Sequence, residues 1–368
     1  MTKKINTINK KNSLIIFISV FLSIYLFDYF FSNKKINFNE LAINKETSFK
    51  IEKISGQKII CAGKEDFYDC IKFNKKNNVL LLGNSQLTQI NQKKNEDFVA
   101  SYNLFRNLEK NNNNLITFVL PNGSFTEFLI LFEYIISKVK IKKLVLPIVF
   151  DDLREGNIRK DISNFFVDEN FRLKFSNSLH KKKIIKKISF EKKTIDIHDN
   201  KKTIQEYVER KINYLLNKCC AHENKKIVGS TRVYYNLYIF RNSVFNIKPT
   251  SKRRLIPVFY EENVNSLLEI IKLAKNNGIE IYLYISPIRN DMQMPYIYDE
   301  YNDFKVFVEN IAIINKLNFQ DFENIIPNNL WGTKSGTKLN IKNEVDFMHF
   351  QGAGHKILSL KLEEYINN

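Results

Sequence analysis

A chain of 368 residues with 44% apolar and 13% aromatic residues can bury one large core or two modest ones. Charged residues supply 26%, which excludes a multi-span membrane protein. The net charge of +18 admits nucleic acid, anionic lipid or polysaccharide as a partner, or a plain compositional bias toward Lys, Asn and Ile. No nucleic-acid motif is present and the basic residues are scattered rather than interleaved with aromatics, so nucleic acid is not expected.

Residues 1–12 carry Lys3, Lys4, Lys10 and Lys11. The apolar run Leu14 to Phe31 follows, broken by Ser19, Ser23 and Asp28. Its length is at the short end for a bilayer span. The exit, Asp28-Tyr29-Phe30-Phe31-Ser32-Asn33, offers bulky residues where a cleavable signal needs small ones. The expectation is an uncleaved transmembrane signal anchor over 13–32. It places the N-terminus inside, one crossing of the cytoplasmic (inner) membrane, and the rest of the chain outside the cytosol. Residues 33–75 read as a polar, Lys-rich stem. Cys61 and Cys70 could close a small loop there in an oxidising compartment, or stay as two thiols. Adjacent Cys219 and Cys220 would bridge only with strain and read as free. No Cys lies at metal-ligand spacing from a His, and no metal or organic cofactor is expected.

Val79 to Leu82 are four apolar residues in a row, a strand buried on both faces. It runs into the turn Gly83-Asn84-Ser85-Gln86. A helix is expected in part of Thr88–Leu108, a strand over Leu115–Leu120, the turn Pro121-Asn122-Gly123-Ser124, and a helix over Phe125–Val139. A third strand, Leu144–Phe150, ends at Asp151-Asp152. Strands alternating with helices predict a parallel sheet with right-handed crossovers. Residues 153–255 read as a basic, mainly helical insertion, with Lys181-Lys182-Lys183 and Lys186-Lys187 on a solvated face or an anionic surface, and a helix over Ile204–Leu216. The sheet pattern then resumes. A helix over Asn263–Asn276 precedes a strand, Ile279–Ile285. A helix around Phe304–Asn315 and a short strand, Asn318–Phe322, follow. The polar loop 323–344 leads to Val345-Asp346-Phe347-Met348-His349 and a last helix, Ile357–Ile366. Residues 76–366 read as one domain that carries this insertion.

A buried strand that ends by presenting Ser85 suggests a nucleophile at the carboxyl edge of a parallel sheet. A Ser that merely caps a helix would look the same. Asp346 and His349, three residues apart, can deliver a carboxylate and an imidazole from one loop. A weak Ser nucleophile needs both groups. Gly-x-Ser near the front and Asp-x-x-His near the back, in that order, resemble the SGNH (GDSL-type) hydrolase superfamily over roughly residues 76–150 and 255–366. The resemblance implies a three-layer α/β/α sandwich with a parallel sheet, and ester hydrolysis or acyl transfer. It makes Ser85 the nucleophile, His349 the base and Asp346 its orienting carboxylate. His355 is a rival base, but it falls inside the last helix.

The same resemblance implies oxyanion donors at the nucleophile's N–H, at a Gly after the second strand and at an Asn after the third. Gly123 stands in the second place. In the third, Asp151-Asp152-Leu153-Arg154-Glu155-Gly156-Asn157 replaces Gly-x-Asn-Asp, leaving Asn157 or Arg154 for the role. The first motif also departs, with Asn84-Ser85-Gln86 in place of Asp-Ser-Leu. The layout is similar to membrane-anchored SGNH-like proteins that handle acyl groups on envelope polymers, including the D-alanyl transfer proteins of teichoic acid systems. The expected function is a membrane-anchored serine acyltransferase or esterase, with a cell-envelope polysaccharide or an acyl donor as substrate. The alternative is an inactive glycan-binding domain, or an assembly partner of a membrane acyltransferase. Arg289 is either a holder of an anionic or sugar group or a surface residue.

Overall fold

Four consecutive apolar residues leave neither face of a strand fit for water, and Val79–Leu82 lie inside a sheet. In a computed structural model, which describes residues 57–64, 67–71, 77–191, 239–338 and 343–367 together with Leu22, they belong to β2, Asn78–Gly83. β2 lies between β3 (Asn114–Val119) and β4 (Lys143–Ile148), parallel to both. β5 (Glu280–Ile285) and β6 (Asn318–Asp321) extend the sheet beyond β4, and β1 (Ile60–Cys61) borders β3. The order is β1-β3-β2-β4-β5-β6. The chain leaves β2 for β3 and then crosses back to β4 on the other side. This reversal opens a crevice at the carboxyl end of β2.

Side-chain alternation along the strands feeds two cores. Leu80, Leu82, Ile116, Phe118, Leu144 and Leu146 face one, which is covered by α3 (Phe125–Lys138), α7 (Pro257–Asn276) and α8 (Tyr298–Asn315). Val79, Leu81, Leu115, Val119 and Val145 face the other, covered by α2 (Ala100–Lys110) and α9 (Gly352–Asn367). The result is an α/β/α sandwich. α3 begins where a reciprocal capping box places it. Ser124 Oγ accepts from the Glu127 N–H at 3.3 Å, and Glu127 Oε2 accepts from the Ser124 N–H at 3.4 Å.

Two stretches are more structured than their composition suggests. Within the expected stem, β1 joins the sheet edge and α1 (Phe67–Ile71) buries Phe67. A Cys61–Cys70 disulfide ties the two together, with Cα atoms 6.3 Å apart. It closes a loop across a sequence separation of 9, for which chain entropy gives about 2.5 kcal/mol. Replacing both cysteines with Ser is expected to lower stability by about that amount in urea titrations. Mass spectrometry of unreduced peptides should show the crosslink.

Within the expected insertion, α4 (Lys160–Ser163), α5 (Glu169–Phe175) and α6 (Leu179–Glu191) put Ile162, Phe171, Phe175 and Ile184 into the first core. The Lys run there is divided. Lys181 is buried in an ion pair with Glu133 at 2.6 Å, while Lys182 and Lys183 face solvent. The expected helix 204–216 and Cys219-Cys220 lie outside the described residues, as does the expected span 13–32 except for Leu22. Among the described residues no helix is long and apolar enough to cross a membrane.

The strands, helices and disulfide given above belong to the larger of two units. The described part of the smaller comprises Leu22, 239–246 and 337–338, and within it the Asn242 amide donates to the Thr337 carbonyl at 3.0 Å.

Candidate active site

β2 ends in a single 3-10 turn, Ser85–Leu87. Asn84 caps it, its Oδ1 accepting the Gln86 N–H at 3.1 Å. The cap is therefore Asn84, which leaves the Ser85 hydroxyl for other work. The Ser85 carbonyl accepts from Thr88 and Gln89, both at 3.0 Å, while among the described residues its own N–H has no acceptor. Ser85 is 8% exposed, at the mouth of the crevice.

The segment expected as a loop before Asp346 is instead half of a hairpin, β7 (Trp331–Ser335) against β8 (Asn343–Phe350). Trp331 pairs with Phe350 and Thr333 with Val345. A single residue, Gly332, therefore faces Asp346 to His349. Extra residues on one strand of an antiparallel pair have nowhere to go but outward, and this bulge presents the Asp-x-x-His pair. His349 Nε2 lies 3.0 Å from Ser85 Oγ, and His349 Nδ1 lies 3.0 Å from Asp346 Oδ2.

Asp346 is held on both oxygens. Oδ1 accepts the N–H groups of Met348 at 2.9 Å and His349 at 3.2 Å, and Oδ2 also accepts from Asn91 Nδ2 at 3.2 Å. Burial alone would push this carboxyl upward. The His349 charge and hydrogen bond, with Lys334 and the Met348 N–H, reverse that and hold it below the usual carboxylate range. Asp346 is thus the ionised partner an imidazolium needs.

Gln86 joins the two halves of the site. Its Nε2 donates to the carbonyls of Pro287 at 2.7 Å and Met348 at 2.9 Å, fixing the bulge against the Ser85 turn. This is physical work for a residue whose place in the motif departs from the family pattern. Asn91 does the same for the acid, and Gly332 leaves room for it. A Cβ on Gly332 would lie 2.5 Å from Asn91 Cγ. Gly332→Ala is therefore expected to displace Asn91, loosen Asp346 and lower kcat roughly tenfold to a hundredfold with little change in KM, as steady-state kinetics would show.

Among the described residues no hydrogen bond joins the expected oxyanion residues to Ser85. The Gly123 N–H is donated to the Leu120 carbonyl at 2.9 Å within its turn, so it is not presented to a ligand. Its lack of a side chain answers packing, since a Cβ would lie 2.9 Å from Leu120 Cβ and 3.0 Å from the Phe128 ring. Arg154 turns to Asp151, with Nη1 at 3.5 Å, and to the Arg254 carbonyl, with Nε at 3.2 Å. Asn157 is exposed, and among the described residues no contact joins it to Ser85.

After β4 the residue that reaches the Asn84-Ser85 turn is Asp152. Its Oδ2 accepts from the Val149 N–H at 3.1 Å and from Asn84 Nδ2 at 3.5 Å. Burial pushes Asp152 well above the usual carboxylate range. Arg289 is a structural clip, bonded to Asp291 and, through Nη1, to the Gly332 carbonyl at 2.9 Å. His355 is buried and both ring nitrogens are engaged. Nδ1 accepts the Ala100 N–H and Nε2 meets the Gln89 carbonyl, each at 3.0 Å.

Gln86, Asn91 and Asp152 carry no sequence signal strong enough to single them out; only Gln86's place beside Ser85 pointed to one of them. Among the described residues no group of His, Cys, Asp and Glu could hold a metal ion.

No protein-family model matches the chain, and no curated protein matches it. Solved structures similar to it include a protein described as an acylhydrolase from Bacteroides fragilis. It has 11% identity and a TM-score of 0.35 over 79% of this chain and 86% of that one. A GDSL-like lipase from Bacteroides thetaiotaomicron shows 11% identity and a TM-score of 0.34 over 79% and 87%. A protein described as a GDSL-like lipase from Parabacteroides merdae shows 10% identity and a TM-score of 0.38 over 81% and 98%. Likenesses of this size bear no weight for fold or function, which rest on the sheet and on the geometry around Ser85.

Proposed function

We propose that this protein is a serine esterase or O-acyltransferase of SGNH type. The observation that supports it is the unbroken line from Ser85 Oγ through His349 to Asp346, with links of 3.0 Å and 3.0 Å, at the carboxyl end of a central parallel strand. In this reading Ser85 Oγ attacks an acyl carbonyl and its proton passes to His349 Nε2. Asp346 holds Nδ1–H and stabilises the imidazolium. The developing oxyanion meets the Ser85 N–H. His349 returns the proton to the departing oxygen, leaving an acyl ester on Ser85. Water or a sugar hydroxyl then gives up its proton to His349, attacks the ester and restores Ser85. The finer reading is a chain anchored through 13–32, with the larger unit outside the cytosol, acting on acyl groups of a cell-envelope polysaccharide. The Lys-flanked apolar run and the Cys61–Cys70 disulfide support it.

A second reading is favoured by the missing donors. Gly123 spends its N–H on Leu120, and two carboxyl residues, Asp151 and Asp152, follow β4 where a side-chain donor would stand. An SGNH-like domain without them would bind a glycan or a membrane acyltransferase and catalyse nothing. Labelling with a fluorophosphonate separates the two. Wild type labelled at Ser85, with no labelling of folded Ser85→Ala, supports the enzyme. Folded wild type that resists the probe selects the binding reading.

A further inference from the structure

We propose that Arg253 binds an anionic group of the substrate, a carboxylate or a phosphate, at the rim of the Ser85 site; this rests on the esterase or transferase reading. Arg253 bridges the two walls of the crevice. Its Nη1 meets Asp151 Oδ2 at 2.7 Å, on the turn that also carries Asp152 and so touches Asn84. Its guanidinium lies over the Phe347 ring, 4.9 Å from the centroid, between Asp346 and His349 in the bulge. It thus touches the bulge that carries Asp346 and His349 directly, and reaches the Ser85 turn through the segment Asp151-Asp152, whose Asp152 bonds Asn84.

The side chain is held in place before any ligand arrives. The Arg253 N–H donates to the Pro295 carbonyl at 2.8 Å, and its own carbonyl accepts from Ile297 at 3.2 Å. Asp151 is itself fixed by the buried Tyr296 hydroxyl, which donates to the same Oδ2 at 3.0 Å. Cation–π stacking on Phe347 orients the guanidinium plane. A side chain fixed this way loses little entropy on binding. Yet its hydrogen bonding is incomplete. Among the described residues neither Nε nor Nη2 has an acceptor, and the side chain is 34% exposed. A planar fork with open N–H groups matches a carboxylate or phosphate.

The local charge agrees. Arg154 and Arg253 both pair with Asp151, and Arg154 also lies 3.6 Å from Glu155. One carboxylate, Asp151, serves two guanidiniums, with Arg154 Nη1 at 3.5 Å from its other oxygen. Asp151 is thus shared, and Arg253 keeps N–H groups for an arriving anion.

The test compares two activated esters that differ by one carboxylate, 4-nitrophenyl acetate and 5-acetoxy-2-nitrobenzoate. Arg253→Gln should lower kcat/KM for the carboxylate ester about tenfold more than for the neutral one, mainly through KM, and Arg253→Lys should recover part of the difference. Equal losses on both esters, or no loss on either, would overturn the proposal and leave Arg253 a packing residue. Binding of 5-acetoxy-2-nitrobenzoate to Ser85→Ala protein, followed by calorimetry, reads the same site without turnover. There Arg253→Gln should again weaken binding about tenfold. If wild type hydrolyses neither ester but this binding difference persists, the enzyme reading fails while the anion site stands. If the difference is missing there, the anion site fails.

Discussion

Ser85→Ala and His349→Ala are each expected to lower kcat/KM by about 10⁴-fold or more, and the double variant to be little worse than either. The reason is that the hydroxyl and imidazole act on one proton, so removing the second partner takes away what is already gone. Asp346→Asn should cost about 10³–10⁴-fold, and the geometry says how. The amide oxygen would stay with the Met348 and His349 N–H groups that Asp346 Oδ1 now accepts. That turns the NH₂ toward His349 Nδ1 and against the Asn91 amide, which now donates to Asp346 Oδ2. The imidazole is then driven to carry its proton on Nε2, where it cannot take one from Ser85. Steady-state kinetics on each variant, with circular dichroism to establish folding, measures all of this. Full activity in folded Ser85→Ala protein would leave the scheme without a nucleophile.

Acid should weaken the fold through His355. Burial lowers this imidazole to about 3, with the nearby His349 acting the same way and the Gln89 carbonyl opposing. The ordinary value is about 6.5. As pH falls through about 6.5 the unfolded chain takes up a proton that the folded chain refuses, so stability declines from there down to about pH 3. At pH 5 the loss from this one group is about 2 kcal/mol relative to pH 7.5. His180, also lowered by burial, acts in the same sense. Glu133, Asp152 and Glu155, all raised by burial, act in the opposite sense, because they hold protons longer when folded. The useful quantity is therefore the difference between wild type and His355→Gln. Urea denaturation at pH 7.5 and pH 5 should show the variant losing about 2 kcal/mol less. An identical loss in both proteins would mean that His355 is charged in the fold.

The parallel sheet was legible because its strands are buried on both faces and read as unbroken apolar runs, Val79–Leu82 and Leu115–Leu120 among them. Ser85, Asp346 and His349 were legible because residue type, order and position all carry chemical meaning. The hairpin β7–β8 was not. Trp331-Gly332-Thr333-Lys334-Ser335 alternates weakly, and the bulge interrupts its partner, so periodicity had little to act on. The oxyanion residues are a different case. Gly123 occupies the expected place in the chain, but a backbone N–H is defined by where its turn sends it, and this turn closes on Leu120. Gln86 and Asn91 act through amide groups aimed at carbonyls and carboxylates 201 to 262 positions away, a pairing that no local pattern encodes.

The bulge mounts acid and base on one short piece of chain. Asp346 and His349 are three positions apart, whereas His349 and Ser85 are separated by 264. Movement of the hairpin therefore carries the carboxylate–imidazole pair as one body, and within the line of the three side chains it is felt at one joint, the gap between Ser85 and His349. Gln86 is the pin through that joint. Small hairpins open at lower free energy than the sheets they rest on. If Ser85 is the proposed nucleophile, its activity would follow the docking of the hairpin more than the integrity of the sheet, and a partner or inhibitor that pried the hairpin away would separate Ser85 from His349 without unfolding the sheet.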